Sequence, residues 1–408
     1  MAGSTIDHLV AFTLFLAVIL IFIGLFNQTI QTAIQYQQHR YLAAKCSDLI
    51  DNILLSTGTP SNETYFWGRS NCAPTSFGLQ DPEFTQYRLS PFSLMRLNSI
   101  MGKPAFYPKT GLYYSNITLD FGISLFVPFN EVVNYSTART LLGINNSHGF
   151  QLSVTPIITV TVTEEQANPL RLAVKVMGTG SPLSYANISY CLITVEAVGE
   201  YPAYDVDYGT AYTNDNGSSL LILGIDGTQT TYALIVYAHM CGLTGVGYYQ
   251  HATHDSSYVI PLVSDLDKRE MGIAHSYDVQ GNGSLGELAY NATFVLLTED
   301  FTLREMPIDN CTGKIDSGPG FPFCKITIPT ENPGILVVTY KKSASESGSV
   351  LMPWGLSAMA FPTVFGENPL VAPGKEWVAT DTRQVIVNDI AYSATLALWN
   401  LDGYSEVG

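Results

Sequence analysis

Basic residues are scarce in this chain: 19 Lys and Arg stand against 35 Asp and Glu in 408 residues, a formal net charge of −16. That balance argues against nucleic acid as a partner, because binding a phosphate backbone needs clustered cations. Charge of either sign is low, at 13% of residues, where an ordinary soluble domain carries roughly 25%. No C-x-x-C pair is present, which removes zinc ribbons, dithiol redox motifs and the covalent haem signature. Nucleophile elbows (G-x-S-x-G), Walker loops and H-E-x-x-H are absent too. GNGSLG (281–286) spells G-x-G-x-x-G, but Asn282 begins a glycosylation acceptor and β-like sequence follows, so it reads as a turn rather than a dinucleotide loop. His239, His251, His254 and Asp255 fall in one stretch. Alternation along a strand would point the histidines to different faces, and a surface loop is the better reading than a metal site. TNDNGSS (213–219) offers oxygen donors at Asn214, Asp215 and Asn216 without EF-hand spacing, and also reads as a turn. Carboxylate pairs such as Glu164–Glu165 and Asp265/Asp267 sit in polar stretches. The expectation is a protein without catalytic activity and without a cofactor or metal.

What replaces charge is Tyr (24), Gly (34), Ser and Thr, a surface solvated by hydroxyls and amides. The acceptor pattern N-x-[ST] occurs ten times, at Asn27, Asn62, Asn116, Asn134, Asn145, Asn187, Asn216, Asn282, Asn291 and Asn310. Chance would place roughly four, given the number of Asn and about one residue in six being Ser or Thr. The excess points to N-linked glycans, and therefore to export; Asn27 lies in the opening helix, and the other nine are the candidate sites. Six cysteines, Cys46, Cys72, Cys191, Cys241, Cys311 and Cys324, fit an oxidising exterior. They allow fifteen connectivities; sequential pairing keeps each bridge within one local unit and is the expected arrangement.

Residues 9–26 carry no charge. Eighteen residues at 1.5 Å each nearly match the roughly 30 Å hydrocarbon core of a bilayer. No Lys or Arg precedes the run and no A-x-A-like site follows it, so a removed secretory signal peptide is the weakest reading. From 27 to 55 there is neither Pro nor Gly, and Ile30, Ile34, Tyr41, Leu42, Leu49, Ile53 and Leu54 recur on one helical face. Gly58 and Pro60 then supply a stop. One continuous helix is expected, apolar all round in its first half and amphipathic in its second.

A short polar leader, an uninterrupted apolar helix and its amphipathic continuation into a β-rich head resemble the type IV pilin superfamily, including archaeal pilins and archaellins. The resemblance covers residues 1–58. It implies that a prepilin peptidase removes the leader and that the freed helices leave the membrane and pack into a filament core. Ala2-Gly3 suits such a cut; cleavage after Ala2 would make Asp7 the fifth residue, where bacterial pilins carry an acidic residue that pairs with a neighbour's amino terminus. The implied polymer contacts are Leu9, Phe12, Leu16, Ile19, Phe22, Phe26, Ile30 and Ile34, and the implied partner is a second copy of the chain. The alternative is an uncleaved anchor that raises a surface glycoprotein head, for adhesion or envelope structure.

Beyond Pro60 the helical period disappears. Runs at 155–163, 170–178, 218–225, 232–240, 335–342 and 383–390 are short, rich in Val, Ile, Thr and Tyr, and mostly bounded by turn residues. Asn216-Gly217 marks a tight turn. The stretch 165–262, with its Asn/Asp-Gly turn and Tyr-x-Leu-x-Val-x-Ala strand, resembles bacterial and archaeal immunoglobulin-like surface modules. Cys191 and Cys241 fall in it, as an inter-sheet bridge or as two separate buried thiols. The fold expected is α+β: one long N-terminal hydrophobic helix (1–58) followed by an all-β head of immunoglobulin-like sandwich domains. Its parts are a β-rich region at 59–164, the sandwich at 165–262 and a C-terminal β-rich region at 263–408. The expected location is extracellular or on the cell surface, with the membrane as partner before assembly.

Overall fold

The computed structural model describes residues 2–60, 66–70, 72–84, 86–98, 105–114, 117–118, 124–125, 128, 133–144, 147–196, 200–251, 258–280, 286–298, 300–318, 323–343, 346–355, 362–371 and 377–401. Helix α1 (Ala2–Leu55) is unbroken and about 80 Å long. Within its apolar half the hydroxyls of Thr13 and Thr29 donate to the carbonyls of Leu9 and Leu25, so these polar side chains are satisfied inside the helix itself. Its last carbonyls are capped by a neighbouring segment: Leu79 N–H donates to Ile53 O (2.8 Å) and Gln80 N–H to Ser56 O (2.9 Å). Gly58 turns the chain away with φ +68°, and a Cβ there would also collide with the Trp67 ring. Glycine is required on both counts.

The helix rests on a five-stranded sheet in the order Thr363–Gly366, His148–Pro156, Ile390–Asn400, Val378–Val387, Arg88–Leu89. All pairs are antiparallel except the last, which is parallel. The hairpin between its two longest strands turns on Asn388 and Asp389, both at positive φ, a conformation these two residues tolerate better than most. So the run expected as a strand at 383–390 ends at Val387, and Ile390 opens the next strand. This sheet draws on more than one of the expected parts. Its strands come from both 59–164 and 263–408, so those stretches build one unit around one core.

At Ile157 the chain leaves that sheet, and Ile158–Ala167 begins a sandwich. One layer holds Ile158–Ala167, Leu170–Gly178 and Ser218–Ile222, with the short Ser181–Pro182 at its edge. The other runs in the order Ala203–Tyr212, Asn187–Glu196, Tyr232–Met240, Leu243–His251. Val160, Val162, Leu172, Val174 and Val176 of the first meet Ile188, Leu192, Leu234 and Val236 of the second in a separate apolar core. The sandwich therefore spans 158–251. Residues 259–262 belong elsewhere, in a three-stranded sheet ordered Val259–Asp265, Glu270–His275, Cys324–Thr327.

The second sandwich layer is covered twice. Cys191, Ile193, Ile235 and Tyr237, alternating with the sandwich-core residues, join the main core on the opposite face. That is why Tyr232–Met240 is buried over seven successive residues, as a near-continuous apolar run requires. The main core also takes in a five-stranded sheet with the path Leu303–Met306, Glu287–Leu297, Gly334–Lys341, Ser347–Trp354, with Thr312–Asp316 beside Glu287–Leu297. The observed architecture is α+β, one long apolar N-terminal helix followed by an all-β head.

Candidate functional site

The chain's most unusual surface is α1. Its side chains are exposed from Ile6 to Gln37, among them Leu9, Phe12, Leu16, Ile19, Phe22, Phe26, Ile30 and Ile34. Exposure reaches 69% at Phe26, so no face of this half is covered by the head. It is long and apolar enough to cross a membrane, with a mean hydropathy of 3.0 over its best window and none of that window buried. The other half behaves oppositely: Leu42, Cys46, Leu49, Ile50, Ile53 and Leu54 lie in the main core, at intervals of one helical face. Cys46 and Ile50 take places on that face, while Tyr41 is 66% exposed and off it.

Polar contacts fix the docked half. The Arg383 guanidinium, on strand Val378–Val387, bridges both carboxylate oxygens of Asp51 (Nε–Oδ1 2.9 Å, Nη2–Oδ2 3.2 Å) and donates to Ser47 Oγ (3.0 Å) and Asp381 Oδ1 (2.6 Å). Tyr87 donates its hydroxyl to Asp51 Oδ1. These bonds, first from Asp51 and then from Asp381, raise the Arg383 pKa further above its ordinary value. Where the helix leaves the head, Trp377 packs edge-on against His39, with ring centroids 3.5 Å apart. A cavity of about 480 Å³ there is lined by Ile34, Gln37, Gln38, Tyr41, His148 and Asn400. His148 lies 3.4 Å from Lys45 Nζ and 2.6 Å from Ser147 Oγ. Burial, reinforced by the Lys45 charge, pushes its pKa down to about 4, so it is neutral at neutral pH.

The candidate glycan acceptors divide by position. Asn134, Asn216 and Asn310 are exposed at turns or helix starts, whereas Asn187 and Asn291 are half-buried within strands. Asn134 caps the helix Tyr135–Leu141 through Oδ1, leaving the capping role separate from the amide nitrogen that a glycan would use. Asn62, Asn116, Asn145 and Asn282 lie outside the described residues, as do most of GNGSLG, His254 and Asp255. In TNDNGSS, Asn214 Oδ1 accepts from the N–H groups of Asn216 and Ser218, so the segment is a turn closed by its own side chain.

The expected sequential disulfides are not what the structure contains: Cys46, Cys72, Cys191, Cys241, Cys311 and Cys324 are all free thiols. Cys191 pairs across the strands with Ile235, while Cys241 sits in the turn beyond Met240. Six residues of strand separate them, about 20 Å. Cys191 also faces the main core rather than the sandwich core, with its Sγ donating to Phe301 O, and burial raises it to about 12. Cys46 lies under the seat sheet, donating to Leu396 O (3.4 Å); burial first, then Asp381, raises it to about 11. Cys311 and Cys324 both lie near Tyr290, with Cys324 Sγ donating to Lys314 O. His239 and His251 fall at opposite ends of one hairpin, opposite Thr244 and Tyr232, so they do not converge on an ion.

Sequence reasoning missed Arg383, Asp51, His148 and Trp377, whose roles arise where α1 meets segments 103 residues (His148 with Lys45) to more than three hundred residues (Arg383 with Asp51, Trp377 with His39) away in the chain. A lone cation beside an acid in a strand, Asp381 and Arg383 of TDTRQVIV, was the available signal. No protein-family model matches the chain, and no curated protein is similar to it.

Proposed function

We propose that the chain is the structural subunit of an extracellular, pilus-like filament, with the α1 helices of many copies bundled in a dry core and the β heads outside. One observation carries this reading: α1 is divided into a half seated on its own head and a half exposed around its whole circumference. Each Leu, Ile or Phe contributes about 1.5–3 kcal/mol when removed from water. Left in water, the run from Leu9 to Phe26 would outweigh the about 5–15 kcal/mol that holds a typical domain together. It is therefore covered, by lipid before assembly and by copies of itself afterwards. Head-to-tail contacts of that kind do not close, and they generate a helical polymer. The leader is removed at Ala2-Gly3, the heads carry N-linked glycans, and the sandwich is an immunoglobulin-like module. Nucleic acid, cofactors and catalysis have no part in this role.

A second reading is favoured by one length. The uncharged run of eighteen residues spans about 27 Å, close to a bilayer's apolar thickness, as an anchor for a cell-surface glycoprotein requires. The deciding experiment is electron microscopy of material sheared from cells without detergent, with mass spectrometry of the chain's first residue. Filaments containing this chain and beginning at Gly3 are expected. Recovery only after detergent extraction, with no filaments, would overturn the filament reading in favour of the anchor.

A further inference from the structure

Among the described residues, the most deeply confined ion pair in the head joins Lys109 to Asp278. Lys109 occupies the turn between the short strands Ala105–Tyr107 and Leu112–Tyr114, and Asp278 lies in the helix Ser276–Gln280. Both side chains are 7% exposed, and Nζ lies 3.2 Å from Oδ2. Around them, Tyr107, Tyr114, Ile260, Leu262, Ala274 and Val279 form a small apolar core of their own. The two carboxylate oxygens differ. Oδ1 accepts the Gly318 N–H at 2.9 Å, while Oδ2 is buried without a hydrogen bond. Lys109 Nζ also donates to Asp316 O at 2.9 Å. The neighbouring His275 is fully buried, and burial lowers its pKa.

Both side chains are largely removed from water. Amide formation requires one proton to pass from the ammonium to the carboxylate, giving an amine and a carboxylic acid, the two reactive forms for acyl transfer. Nζ already lies 3.2 Å from Oδ2, an atom bonded to the Cγ it would attack, so the two groups are held together in advance. We propose that Lys109 and Asp278 condense spontaneously into an intramolecular amide cross-link. The Nζ lone pair attacks Cγ while the negative charge that develops falls on Oδ1, where the Gly318 N–H receives it. Oδ2, ion-paired with Nζ but accepting no hydrogen bond, takes protons from the nitrogen and leaves as water. The balance is one ammonium and one carboxylate giving one secondary amide and one water, with no oxidant or co-reactant. The remaining amide N–H keeps its acceptor in Asp316 O. The link staples the hairpin at 105–114 to the helix Ser276–Gln280, and it stands whether or not the chain forms filaments.

The test is peptide mapping of the full-length chain, deglycosylated and digested with trypsin. Expected is a branched peptide joining the segment with Lys109 to the one with Asp278, lighter than their sum by one water, and loss of tryptic cleavage after Lys109. Lys109→Arg keeps the charge pair but cannot condense, and yields only linear peptides. Asp278→Asn yields the same branched peptide, expelling ammonia in place of water. Cleavage after Lys109 in folded wild-type protein, together with an unmodified Asp278 peptide, overturns the proposal. So does a branched peptide that persists in Lys109→Arg.

Discussion

Arg383 shows how much of the helix attachment rests on single groups. Its guanidinium joins Asp51 and Ser47 of α1 to Asp381 of the seat sheet, and removing it strands two carboxylates side by side. Because the cluster is partly open to solvent, Arg383→Met is expected to lower head stability by about 1–2 kcal/mol, measured by chemical unfolding. His148 sets a pH dependence at the same junction. Its pKa is near 6.5 in the unfolded chain and about 4 in the folded one, so between those values the unfolded chain binds the proton more readily. Stability is therefore complete above pH 6.5, falls as the pH drops through that window, and levels below about 4. The expected loss from this residue is on the order of 1–2 kcal/mol. His239 and His275 shift in the same direction, so the comparison is the unfolding midpoint of wild type and His148→Gln from pH 7 to 4.5. The wild type should show the steeper decline.

Among elements, α1 has two halves that fail differently. Ile53→Ala removes a fully buried side chain from the main core and is expected to destabilise the head by about 2–4 kcal/mol, with little change in the exposed half. Phe22→Glu places a charge in the unpartnered run; the head's unfolding midpoint should not move, while filament assembly is abolished. Equal thermal losses in both variants would contradict this division. The division itself was legible in the sequence, because an uncharged run followed by a one-sided apolar period can be read without coordinates. Its details were less so: Tyr41 falls outside the buried stripe, and Ile50 and Cys46 fall inside it. The strand Tyr232–Met240 was equally clear as a strand, but its apolar run could not say that two different cores cover its two faces. The pairing of Cys191 with Cys241 does not fit this fold for a related reason. Proximity in sequence does not give register, and Cys241 lies a full hairpin arm from Cys191.

At the scale of the whole molecule, the head presents its polar acceptors unevenly. Asn134, Asn216 and Asn310 are exposed where a transferase can reach an irregular backbone, and Asn187 and Asn291 lie half-buried in paired strands. Glycopeptide mapping is expected to find the first three occupied more fully than the other two. The sheet that seats α1 has a further consequence, for the order of events in biosynthesis. The helix ends at Leu55, but the strands that grip it are Val378–Val387 and Ile390–Asn400. A ribosome must therefore reach those strands before α1 can find its place. Until then the opening segment hangs from an incomplete nascent chain, free to insert, and the last strands act as a timer. A product broken off before residue 378 has no seat to offer, so only a finished head holds its helix at a fixed angle.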